Sequence, residues 1–104
     1  MRLIIVALLM FTSSAALAAK VSCGGKMTKV MAGHYACEGY IAFKTVQSPS
    51  KWMCSKSKDA DSAILAGFMA DRTTTVLVES GNDTISTCAD LTSYSKIDYI
   101  MLDK

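Results

Sequence analysis

Histidine, proline and tryptophan each occur once in the 104 residues, and the four cysteines form no Cys-x-x-Cys pair. Without that pair, and with His34 as the only nitrogen ligand, the common zinc signatures are missing, and neither a metal nor another cofactor is expected. The same scarcity removes the nucleophile–base pairs of most hydrolases, and no acid pair replaces them, so the chain is expected not to be an enzyme. Runs of like charge are also missing. Eleven Lys+Arg stand against nine Asp+Glu, a net charge of +2, too little and too scattered to mark a nucleic-acid partner. Only 19% of residues are charged and 51% are hydrophobic, which excludes a disordered chain. The length excludes a second domain.

What is present begins with an address. Met1-Arg2 opens a short positive start, Leu3 to Phe11 is an unbroken apolar run, and Ala16-Leu17-Ala18 is a small-x-small cleavage site. The apolar run is about half of the ~20 residues that span a bilayer, so no membrane span is expected. Residues 1–18 therefore read as a signal peptide and 19–104 as a single small domain, periplasmic or secreted. Lys20, three residues before Cys23, argues against a lipoprotein anchor.

All four cysteines, Cys23, Cys37, Cys54 and Cys88, lie in the exported part. An even number in an oxidising compartment predicts two disulfides, which a domain this small needs. Three pairings are open. Loop closure mildly favours Cys23–Cys37 with Cys54–Cys88, each worth roughly 3–4 kcal/mol in the chain-entropy model.

Hydrophobic patterning predicts strands over Lys26–Met31, Tyr40–Val46 and Trp52–Cys54, with Ser48-Pro49-Ser50 as a break. Asp59 to Arg72 predicts the one helix, Asp59 capping it and Arg72 suiting its C-terminal end. Apolar side chains surround most of that helix, more than one face can bury, and Ile64, Leu65, Phe68 and Met69 are expected to form an oligomer interface. Thr75–Glu79 is a strong strand, Ser80–Asp83 a turn, Thr84–Cys88 its hairpin partner, and Ile97–Leu102 the last strand. The fold class is thus mainly β with one helix, in the order β-β-β-α-β-β. A small, partly open Greek-key barrel of the OB type places its helix between the third and fourth strands in that way. A plain α+β sandwich is the competing arrangement.

The stretch from Trp52 through Leu102 resembles the second half of the secreted OB-fold B subunits of AB5 toxins, the Shiga-like ones especially. Trp52, the apolar helix, the Val-rich strand Thr75–Glu79, Cys88 and the Ile-rich strand Ile97–Leu102 fall in the order of that family. The likeness is one of elements over about half the chain. It implies an OB barrel, a glycan or protein partner and a homo-oligomer, and it transfers no contact residue. The disulfide of that family ties early to late segments, unlike the pairing that loop closure favours.

Candidate binding residues follow from aromatic and loop chemistry. Trp52, beside Lys51, could stack on a sugar or anchor a protein. Tyr94 lies in the Ser/Thr-rich loop Thr92–Ser95, and Tyr35 shares a Gly-bounded loop with His34 and Glu38. The expected function is a secreted or periplasmic, non-catalytic binding module, glycan-binding and oligomeric in the manner of a toxin B subunit. The alternative is a periplasmic inhibitor or immunity protein that blocks a cell-wall hydrolase.

Overall fold

The computed structural model describes residues 20–79 and 87–103. Residues 1–18, read above as a signal peptide, and the predicted Ser80–Asp83 turn and most of the predicted Thr84–Cys88 strand lie outside these residues. Six strands and one helix follow in order: β1 Lys20–Ser22, β2 Gly25–Met31, β3 Ala42–Thr45, β4 Ser48–Cys54, α1 Lys58–Met69, β5 Thr73–Glu79 and β6 Ser95–Leu102. Short 3-10 turns cover Tyr35–Cys37 and Cys88–Asp90.

β2, β3 and β4 form an antiparallel meander, and β5 pairs antiparallel with both β2 and β6. A short parallel link, Met53 to Ser95 and Cys54 to Lys96, joins β4 to β6. These pairings close a five-stranded, OB-fold-like barrel, where the sequence suggested a partly open one. β1 is an addition to the predicted order. It pairs with the far half of β5 and continues into β2 through Cys23-Gly24. A side chain at Gly24 would place a Cβ 2.2 Å from the Thr74 carbonyl oxygen, so only glycine lets the bend approach β5 this closely.

The core follows the period of two. Thr74, Val76 and Val78 of β5 are buried while their neighbours are not. Val76 and Val78 share one core with Met27, Phe43, Met53 and Ile97 from the other strands. The buried Thr45 hydroxyl donates to the Cys23 carbonyl, and Thr74 Oγ1 donates to the Gly25 carbonyl at 2.7 Å. Buried oxygens are thereby satisfied. Pro49 does not break the second hairpin as predicted. It sits at the second position of β4, outside the stretch that bonds to β6, where its missing N–H is harmless.

The helix begins one residue earlier than predicted and ends three earlier. Ser57, rather than Asp59, is the cap, its Oγ accepting from the Ala60 N–H at 3.1 Å. Asp59 and Asp61 occupy the positive first turn, and Asp61 also accepts from the Ile41 N–H. At the other end Asp71 adopts a left-handed backbone (φ 54). The Arg72 N–H then reaches the Gly67 carbonyl and the Asp71 N–H the Phe68 carbonyl, a Schellman stop that leaves Arg72 outside the helix.

Two disulfides are formed, Cys23–Cys88 and Cys37–Cys54. This overturns the pairing favoured by loop closure. That entropy compares unfolded chains only, whereas the barrel decides which sulfurs meet. Cys23 is fixed on β5 by its N–H donating to the Val76 carbonyl at 2.8 Å, and Cys54 ends β4 beside the Tyr35–Cys37 turn. Among residues 87 and 88 of the predicted hairpin strand, the backbone is a bend entering a 3-10 turn.

Among the described residues no helix is long and apolar enough to cross a membrane.

Candidate functional site

The Tyr35–Cys37 turn starts on His34, whose Nδ1 accepts from the Ala36 N–H at 3.0 Å. Glu38 ends the turn in a left-handed backbone (φ 56), its N–H donating to the Tyr35 carbonyl. Because Cys37 is bonded to Cys54, the turn is tied covalently to the end of β4.

This turn builds a ladder of three rings. His34 stacks on Tyr35 with centroids 4.6 Å apart and on Tyr94 with centroids 4.8 Å apart. Tyr94 is held for the purpose. Its backbone is left-handed (φ 69), rare for so bulky a residue, and its N–H donates to the Trp52 carbonyl at 2.7 Å. Strain of this kind costs of order 1–3 kcal/mol and marks positions that the surrounding structure enforces. Tyr35, the outer ring, is 87% exposed.

Trp52 lies next to the ladder and is not one of its stacked rings. It is half-buried, packed with Met31, Tyr40 and Tyr94 around the Cys37–Cys54 disulfide. The Lys44 ammonium lies 4.7 Å from its ring centroid, a cation–π contact that covers one face. Trp52 thus supports the ladder from below. Lys51 is half-buried, and its carbonyl accepts from Ser48 Oγ; it does not join the ladder through any contact in the structure. Tyr35 and Tyr94 of the predicted set are brought together, through His34. The stack has no one-dimensional signature beyond the proximity of His34, Tyr35 and Glu38.

Directly after Tyr94, β6 opens a shallow concavity of about 370 Å³, with Lys56, Glu79, Lys96 and Asp98 among its walls. Sequence inspection did not single it out, because its charges come from three separate segments. Asp98 accepts from Lys20 Nζ at 2.8 Å and lies 3.7 Å from Lys56 Nζ. Lys96 reaches out of the concavity to Glu38 and so links it to the ring-bearing turn. The Lys20 hydrogen bond holds the Asp98 carboxyl below its ordinary value, and Asp98 in turn raises Lys20. Lys96 lowers Glu38 in the same way and is itself raised. The described residues contain no cluster of three or more metal-ligating side chains.

A second surface lies on α1. Ile64 is fully buried in the barrel core, so it cannot serve the interface proposed for it from sequence. Leu65, Phe68 and Met69 are exposed, Met69 at 81%. Gly67 lies against β2 and β6, where an added Cβ would fall 2.6 Å from Leu102 Cδ2 and 2.8 Å from Met27 Cε. Glycine here lets the helix sit close to the barrel, while Leu65, Phe68 and Met69 stay on its outer side.

These features define a disulfide-stapled barrel of the OB type with an aromatic ladder on one rim. The chain matches no protein-family model, and no curated protein or solved structure matches it.

Proposed function

We propose that the protein is an exported, non-catalytic carbohydrate-binding module that assembles with copies of itself. The observation that carries this reading is the exposed Tyr35 ring, backed by His34 and Tyr94 and anchored through the Cys37–Cys54 disulfide. A sugar presents C–H groups on one face and hydroxyls at its edge. A flat ring with one bare face accepts the first, and the Glu38–Lys96 pair beside it offers partners to the second. Little conformational freedom is lost on binding, because stack and disulfide hold the turn beforehand. The exposed Leu65, Phe68 and Met69 favour self-association, and repeated weak sites on one assembly would gain affinity by multivalency.

A glycan array probed with the mature, oxidised protein tests the reading. Binding that Tyr35→Ala abolishes, with the fold unchanged by circular dichroism, is the expected result. No glycan bound, together with inhibition of a cell-wall hydrolase such as lysozyme, would transfer the molecule to the inhibitor class.

A further inference from the structure

We infer that the concavity beside the ladder is a second sugar subsite, selective for the hydroxyls of a neutral unit over an anionic one. This rests on the carbohydrate-binding reading above and specifies its ligand as a neutral oligosaccharide. The concavity adjoins the ladder in two ways. Its first residues, Ser95 and Lys96, follow Tyr94 in the chain, and Lys96 crosses to Glu38 at the end of the Tyr35 turn.

Charge balance decides the ligand class. The walls carry Lys56 and Lys96 against Glu79 and Asp98, and each ammonium already faces a carboxylate. Lys20 and Lys56 share Asp98, Glu79 acts on Lys20 as a further negative charge, and Lys96 takes Glu38, so three ammonium groups stand against three carboxylates. A carboxylate or sulfate entering here would meet Asp98 and Glu79 without gaining an unopposed cation, and like charges at short range repel. A hydroxyl incurs no such repulsion. It donates to a carboxylate, which only accepts, and accepts from an ammonium, which only donates. Neighbouring hydroxyls on a sugar ring can use an alternating pair such as Lys56 and Asp98 together. Asp98 is also fixed in advance, since the 2.8 Å bond from Lys20 holds it and its side chain is only 27% exposed.

Isothermal titration with matched neutral and acidic oligosaccharides, using the oxidised mature protein, tests the assignment. Neutral ligands should bind with little salt dependence. Asp98→Asn should weaken them about tenfold, the scale of one hydrogen bond to a charged group, and Lys56→Gln should act in the same direction. The latter leaves the Lys20–Asp98 bond intact, so the test survives if Asp98→Asn folds poorly. An anion site gives the opposite sign, because removing the Asp98 charge would tighten binding. Preference for acidic glycans with steep salt dependence, or tighter binding by Asp98→Asn, overturns the inference. Unchanged neutral binding in both variants, with Tyr35→Ala still abolishing it, overturns the subsite and leaves the carbohydrate reading standing. No glycan binding by the unmodified protein overturns both.

Discussion

The Tyr94 ring lies against the His34 imidazole with its plane tilted by only 9°, and the same imidazole caps the Tyr35–Cys37 turn through Nδ1. One side chain therefore serves both the backbone of the turn and the alignment of the rings. His34→Ala removes both roles, and losing a cap costs about 0.5–2 kcal/mol. His34→Asn restores an accepting oxygen but no ring. Urea unfolding should rank the native protein first, the Asn variant second and the Ala variant last. Glycan binding should be lost in both variants. Equal stability of the two would show that the cap contributes nothing.

The disulfides divide the labour between stability and site. Removing Cys23–Cys88, whose partners are 65 residues apart, is expected to cost about 4 kcal/mol, and removing Cys37–Cys54, 17 residues apart, about 3 kcal/mol. Only the second loss frees the Tyr35 turn. The paired serine variants should therefore both unfold at lower urea, while glycan binding falls only when Cys37 and Cys54 are replaced. Peptide mapping without reductant should recover the same two linkages.

The barrel was legible in the sequence wherever one face of a strand is buried. β5 alternates cleanly, and α1 has both acidic first-turn residues and a long apolar run. Three features were not legible, each for a physical reason. The Cys23–Cys88 link depends on Cys23 being held on β5 by the Val76 carbonyl, a long-range bond without a local sequence signal. The role of Trp52 depends on Lys44 crossing from β3, a cross-strand contact without a sequence signal. The excess apolarity of α1 was visible, but its division was not. Ile64 fills the core on the side where Gly67 meets Met27 and Leu102, whereas Leu65, Phe68 and Met69 face away from it.

Two ion pairs set the expected pH response. Asp98 and Glu38 are held below their ordinary values by hydrogen bonds from Lys20 and Lys96. Their stabilising contribution is therefore present above an ordinary carboxylate value of about 4 and is lost as pH falls through the lowered folded values. Lys20 and Lys96 are raised. Their contribution is present below about 10 and is lost as pH rises through the raised values. The thermal midpoint should show a plateau between these limits. All four groups reach solvent, Asp98 least, so salt should shrink both limbs. Asp98→Asn should flatten the acid limb, and an acid limb unchanged by that variant and by salt would exclude these pairs as its cause.

The exposed helix face carries the self-association part of the proposal. Leu65, Phe68 and Met69 project from a helix whose opposite side is already seated on the barrel, so they are available to a second copy without unfolding. Burying them would contribute about 25 cal/mol per Å² of apolar surface before the costs of association. The native protein should scatter light as an oligomer at about 100 µM, a concentration that must be held fixed because assembly follows mass action. Leu65→Glu and Met69→Glu should each give a folded monomer, since neither side chain is part of the core. Ile64→Ala should behave differently, lowering stability by about 2–5 kcal/mol because it opens a cavity inside the barrel. A native monomer at that concentration, with Leu65→Glu and Met69→Glu leaving unfolding unchanged, would show that this face is merely solvent-exposed and that the binding module acts alone.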